Sequence, residues 1–241
     1  MLFAFIALAL GGLLKGATGA GAPVVAVPVI AMLYDVRFAV AMLVVPNLIT
    51  NLWQGWKYRR HMMPLPFTLR FAAAGMLGAG IGTVMLARLP SDALLALVAV
   101  AVFAYIAFRL ARPDWTLASG LARRVVLPVG AVAGVLQGAV GVSAPVSITF
   151  LNAMRPDRAA FVGTISVFFF AMSLSQIPLL AHYGILTWER LGWSMLALVP
   201  LMGFMPAGAA LSRRVSKATF DRLILALLGL IALRLLYQAL S

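Results

Sequence analysis

The sequence predicts an all-α polytopic membrane protein built as an inverted repeat of two four-segment halves, with the first segment of each half broken and re-entrant. Three observations predict it. Hydrophobic residues make up 63% of the chain and charged residues only 10%, with a mean hydropathy of +1.04, whereas about a quarter of an ordinary soluble domain is charged. A segment near the start, Leu14-Lys15-Gly16-Ala17-Thr18-Gly19-Ala20-Gly21-Ala22-Pro23-Val24, returns 122 positions later as Leu136-Gln137-Gly138-Ala139-Val140-Gly141-Val142-Ser143-Ala144-Pro145-Val146. In both copies the repeat fills a hydrophobic stretch with helix breakers where an unbroken helix is expected.

The first broken segment covers residues 2–33. Its two apolar arms, 2–14 and 24–33, are each about half a bilayer long at 1.5 Å per residue. Ten of the twenty-one positions from Gly12 to Met32 are identical to their partners from Gly134 to Met154. The start lacks a positively charged n-region, and Ala7-Leu8-Ala9 is a weak cleavage match. An internal counterpart at 125–137 marks this segment as mature structure. Three spans follow, at 36–56, 66–87 and 93–110, each near the 20 or so residues that cross roughly 30 Å of hydrocarbon. Residues 1–112 form the first transmembrane repeat, 113–124 a basic cytoplasmic linker, and 125–241 the second repeat. The second broken segment, 125–154, has arms at 125–137 and 146–154, and spans follow at 160–181, 191–211 and 220–239.

Charge decides how the broken segments run. If both turn back to the side they came from, one side receives fourteen cations: Lys57, Arg59, Arg60, Arg70, Arg109, Arg112, Arg123, Arg124, Arg155, Arg158, Arg213, Arg214, Lys217 and Arg222. The other keeps only Arg37, Arg88, Arg190 and Arg234. If all eight segments cross, the split is ten to eight. The positive-inside rule favours the hairpins, makes the fourteen-charge side cytoplasmic and puts both termini in the periplasm. Each half then has three crossings and one hairpin, in opposite orientations, as in many secondary transporters.

The breaks have the chemistry of an anion site. Unpaired backbone groups cost several kcal/mol in lipid, so irregular chain at membrane depth must be interior. Gly16, Pro23, Gly138 and Pro145 are the expected helix-break positions. Pro23 and Pro145 suit the first position of a restarted helix, with Gly21 and Ser143 near its N-cap. Two half-helix N-termini, each carrying about half a positive charge, would face each other and attract an anion. Lys15 adds a full charge beside Gly19 in the first loop, and Gln137 takes the equivalent place beside Gly141. Thr18 and Ser143 can donate hydroxyls. A second repeat matches Asn51-Leu52-Trp53-Gln54 to Ser173-Leu174-Ser175-Gln176. Asn47, Asn51, Gln54, Thr164, Ser166, Ser173 and Gln176 are expected to line the substrate path, because polar groups in spans are costly unless paired or solvated.

Other readings bear on the same residues. The pairs Gly12 and Gly16, Gly134 and Gly138, and Gly78 and Gly82 have the spacing of close helix packing; packing is the preferred reading for Gly78 and Gly82. The Asn and Gln residues could be interhelical glue, and Lys15 could snorkel to an interface. Trp53, Trp56, Tyr58, Trp188 and Trp193 read as interfacial belt residues. Cys is absent, which excludes disulfides and thiolate chemistry. The six acidic residues stand at or near segment ends, and His61 and His182 are far apart, so neither an enzyme nor a metal or cofactor site is expected. The net charge of +13 is mostly loop charge, so the partners expected are a small anion and the lipid bilayer, without nucleic acid. With no intramembrane carboxylate, efflux driven by potential alone is expected: each negative charge is driven outward by about 2.3 kcal/mol per 100 mV.

The duplicated Gly-rich segment ending in Pro, then an apolar half-helix, then Asp35-Val36-Arg37-Phe38-Ala39 or Asp157-Arg158-Ala159-Ala160, resembles the TauE/SafE family of sulfite and organosulfonate exporters. The resemblance covers the whole chain. The family usually shows a run of glycines and then Val-Pro. Gly19-Ala20-Gly21-Ala22-Pro23 with Val27-Pro28 keeps part of this, while Gly141-Val142-Ser143-Ala144-Pro145 with Thr149-Phe150 departs further. The resemblance implies a multi-pass transporter in a bacterial cytoplasmic (inner) membrane that exports small anions, sulfonates or sulfite foremost. A carboxylate meets much of the same description, and a passive anion channel could use the same breaks as a filter.

Overall fold

The structure, a computed structural model, describes residues 1–111, 115–211 and 217–240. Its described helices are α1 (Leu2–Thr18), α2 (Ala22–Leu33), α3 (Val36–Lys57), α4 (Leu65–Arg88), α5 (Ser91–Ala111), α6 (Ser119–Val140), α7 (Ala144–Ala153), α8 (Arg158–His182), α9 (Trp188–Leu211) and α10 (Lys217–Leu240). No strand occurs among the described residues. Six helices, α3, α4, α5, α6, α8 and α9, are long and apolar enough to cross a membrane, and α10 contains the span expected at 220–239. Side chains such as Leu77, Ile81, Val199 and Leu230 are more than half exposed, as lipid-facing residues must be in a chain with so few charges.

Matching caps start the central helices. Asp35 accepts from the Phe38 N–H at 2.7 Å and Asp157 from the Ala160 N–H at 2.8 Å, each satisfying a backbone donor that a helix start leaves free. Arg37 ties the start of α3 to the end of α4, donating to the Leu89 and Leu86 carbonyls at 2.6 and 3.1 Å. Arg190, just inside α9, stands 4.0 Å from Asp35.

Each half opens with a helical hairpin. The Met1 amino group donates to the Tyr34 hydroxyl at 2.6 Å, and a Cβ on Gly11 would lie 2.9 Å from the Ala22 carbonyl oxygen and 3.4 Å from Ala26 Cβ. α2 therefore doubles back along α1. In the second half the Leu117 N–H donates to the Ala153 carbonyl at 2.8 Å, which returns the end of α7 to the chain leading into α6.

The structure corrects three expectations about these hairpins. Their first arms are not half-length: α1 has 17 residues and α6 has 22, about 25 and 33 Å. Gly16 and Gly138 lie inside those helices, and the breaks fall later, at 19–21 and 141–143. A glycine inside a helix costs only about 1 kcal/mol, less than freeing backbone hydrogen bonds in lipid. Ser119 to Arg124, expected to belong to the linker, form the start of α6. Arg112, Arg213 and Arg214 of the charge count, and Asp114, lie outside the described residues.

Small residues set the packing between helices. α6 lies on α4, and Gly78, Gly82, Gly134 and Gly138 bring the two backbones so close that a Cβ on any of them would collide with a carbonyl of the other helix. Gly12 and Gly16 of α1 meet Leu201 and Met205 of α9 in the same way, and Gly208 of α9 meets Leu13. In both pairs residue numbers rise together, so the helices run parallel. At the centre α3 and α8 run antiparallel: Gly55 faces Ser166 and Val167, and Gly163 faces Tyr58.

Candidate functional site

The breaks are built by left-handed residues. Gly19 ends α1 at φ 86°, its N–H closing on the Lys15 carbonyl at 2.7 Å, and Gly21 precedes α2 at φ 96°. Gly141 ends α6 at φ 71° on the Gln137 carbonyl at 2.8 Å. Only glycine takes such angles without strain. Pro23 and Pro145 sit in the first turns of α2 and α7, and no side chain caps either helix. The Thr18 hydroxyl is spent within its own break, on the Leu14 and Ala20 carbonyls. Ser143 is buried with its hydroxyl 3.2 Å from that of Ser147.

Each break packs on a helix of the other half. Gly19 packs against Val162 at the start of α8, and Gly141 against Val27 and Val40, the latter near the start of α3. Val162 adjoins Gly163, which lies on Tyr58 at the end of α3. Val27, on which Gly141 also packs, stands six residues, about 9 Å of helix, from Gly21.

One turn before the breaks, Lys15 and Gln137 meet polar residues of α3 and α8. Lys15 is 1% exposed and donates from Nζ to Asn51 Oδ1 at 2.7 Å. Asn51 Nδ2 in turn donates to the Asn47 carbonyl at 2.8 Å. Across the molecule Gln176 Nε2 donates to the Gln137 carbonyl at 3.3 Å. Counting back from Gly55 opposite Val167, Asn51 and Asn47 fall level with positions 171 and 175, so the Lys15 cluster and the Ser173 and Gln176 positions share a layer midway along α3 and α8.

The polar residues in and around this layer are buried and incompletely paired. Asn47, Asn51, Gln54, Gln137, Ser166, Ser173 and Gln176 are all buried, and Gln54 Oε1, Gln137 Oε1 and Ser166 Oγ have no partner. Lys15 is the buried cation among the described residues, and none of their carboxylates pairs with it. An ammonium has three donors, and the structure gives Lys15 one acceptor. Two expected residues serve the scaffold: Thr164 Oγ1 accepts from the Met63 N–H at 2.9 Å, and Ser173 Oγ donates to the Phe169 carbonyl at 3.0 Å.

Two polar residues escaped the sequence reading. Ser194 of α9 is fully buried and bridges α3, accepting from the Val45 N–H at 3.2 Å and donating to the Met42 carbonyl at 3.0 Å. The Val45 donor precedes Pro46 in the sequence, a hint that α3 needs outside help there. Arg158 donates to the Gly16 and Ala17 carbonyls at 3.1 and 3.2 Å, placing a cation at the negative end of α1; nothing local to Arg158 announces that role.

A family model described as Sulfite exporter TauE/SafE matches residues 4–235. No curated protein and no solved structure gives a match. The match runs through both hairpins and the apolar helices between and after them. Together with six apolar helices of spanning length, it makes the molecule a multi-pass integral membrane protein and a transporter rather than an enzyme. The chain belongs to the TauE/SafE sulfite exporter family.

Proposed function

We propose that the protein exports a small anion of the sulfite or sulfonate class across a bacterial cytoplasmic membrane by alternating access, with the anion bound as the counter-ion of Lys15. One observation carries the reading: a fully buried ammonium whose partner is the neutral Asn51. A lysine at the centre of a membrane helix costs about 2.5–3.5 kcal/mol even on a lenient insertion scale, and one amide oxygen offsets little of that. A sulfonate or sulfite oxygen beside Nζ supplies the missing charge and accepts the remaining N–H donors. The Asn51 and Gln176 amides stand in the same layer to take further oxygens.

Alternating access draws support from how the halves interlock. The first helix of each half packs on the fourth helix of the other, α1 on α9 and α6 on α4, and each break sits on the third helix of the other half. We read this exchange as an inverted repeat, with both termini periplasmic and the two hairpins reaching toward opposite faces. Rocking one interlocked pair against the other would then open the polar layer to one side at a time. The acidic residues Asp35 and Asp157 are engaged as caps of α3 and α8, so the reading assigns no coupling ion and takes the membrane potential as the driving force.

The test is transport into proteoliposomes across a panel of sulfite, sulfonates and carboxylates. The unchanged protein is expected to show saturable, trans-stimulated transport of a sulfur oxyanion. Lys15→Met should reduce it at least ~100-fold, about 2.7 kcal/mol, while keeping a native thermal melt. Normal transport by Lys15→Met, or movement of no anion in the panel, overturns the reading. Rates that never saturate replace the transporter with a channel, and a requirement for a pH or sodium gradient removes potential-driven efflux.

A further inference from the structure

A second cationic site lies away from the polar layer, where α4 and α6 begin. A cavity of about 230 Å³ there is lined by Pro64, Pro66, Phe67, Arg70, Arg123 and Val126. The parallel packing of the two helices puts its arginines at one level: Gly78 rests on Ala131, and eight residues before each stand Arg70 and Arg123. Both side chains are exposed. Among the described residues neither guanidinium has a hydrogen-bond or ion-pair partner. Two unpaired cations are therefore held at one height over an apolar floor of Phe67, Val126 and two prolines.

We propose that this cavity binds the phosphodiester headgroup of an anionic phospholipid. The guanidiniums supply planar, paired donors for phosphate oxygens, and the Phe67 and Val126 side chains offer apolar surface to the glycerol and upper acyl chain. An anion free in solution would use the first feature and leave the second unused. A zwitterionic lipid would add its own ammonium beside Arg70, Arg123 and the exposed Arg124, a fourth positive charge in a site that already has too many. The site is independent of Lys15: it stands at the outset of α4 and α6, whereas Gln137 of the polar layer lies 14 residues further along α6.

Native mass spectrometry of the protein released from mixed phosphatidylglycerol and phosphatidylcholine nanodiscs tests the proposal. The unchanged chain should retain phosphatidylglycerol about tenfold over phosphatidylcholine. Arg70→Gln with Arg123→Gln should abolish that preference, and Arg124→Gln, which does not line the cavity, should keep it. Equal retention of the two lipids by the unchanged chain overturns the proposal without any variant having to fold. So does an undiminished preference in the double variant, or displacement of phosphatidylglycerol by millimolar inorganic phosphate, which would mark a free-anion site.

Discussion

Gly21 and Ser143 hold equivalent positions in the repeat but different backbones. Gly21 is left-handed at φ 96°, whereas Ser143 lies at φ −104°. A non-glycine residue in the left-handed region costs roughly 1–2 kcal/mol. Gly21→Ser should therefore destabilise the protein by about that amount through strain, whereas Ser143→Gly, where no left-handed angle is needed, costs about 0.4–1 kcal/mol through backbone freedom and the Ser147 contact; thermal unfolding in detergent compares the two. Equal effects would mean that the breaks share one geometry. Lys15 and Gln137 differ in charge at the same register, so exchanging them tests whether the site follows the cation. Lys15→Gln alone should abolish anion transport. Adding Gln137→Lys should restore a measurable part of it, because Gln137 is buried one turn before the second break as Lys15 is before the first. Continued silence of the double variant would tie binding to the Asn51 and Asn47 pair that only Lys15 reaches.

Helices pack here through missing side chains. A Cβ on Gly138 would run into the Ala79 carbonyl, whereas one on Gly203 meets nothing within 4 Å. Overpacking a tight contact costs about 1–3 kcal/mol, while open positions usually stay within about 0.5 kcal/mol. Gly138→Leu should therefore lower the melting temperature clearly and Gly203→Leu should leave it nearly unchanged; the reverse order would remove the α4 and α6 contact from the stability of the fold. Spacing made the packing of Gly78 and Gly82 readable from sequence. It could not separate packing from breaking at Gly16 and Gly138, because the same residue type serves both and only the opposing helix decides. The start of α6 was hidden for another reason. Arg123 and Arg124 look like a cytoplasmic loop, yet in the structure they ride on a helix whose buried face is Ala122 and Val126. Element boundaries at Asp35 and Asp157 were readable because a cap is a local device.

At the scale of the molecule, the spans were legible since hydropathy is a property of each stretch by itself, and the repeat exposed the two hairpins. The depth of the breaks was not, because it depends on where α1 and α6 register against α9 and α4. That register brings Lys15 and Gln137, one turn before the breaks, to Asn51 and Gln176. The hairpins also decide topology. Thr116 adjoins Leu117, which bonds to Ala153 at the end of α7, and on the other face Asp35 meets Arg190 of α9. If both hairpins return to their own side, Ser91 and Thr187 share one face of the membrane and Thr116 and Asn152 the other. If the broken segments cross, Thr116 and Asn152 are separated. The chain contains no cysteine, so single replacements at these four exposed positions can be read without background. An impermeant maleimide applied to intact bacterial cells should label Ser91→Cys and Thr187→Cys, and should reach Thr116→Cys and Asn152→Cys only after the membrane is opened. Labelling that divides Thr116 from Asn152, or Ser91 from Thr187, would remove the inverted repeat and with it the symmetric route between two access states.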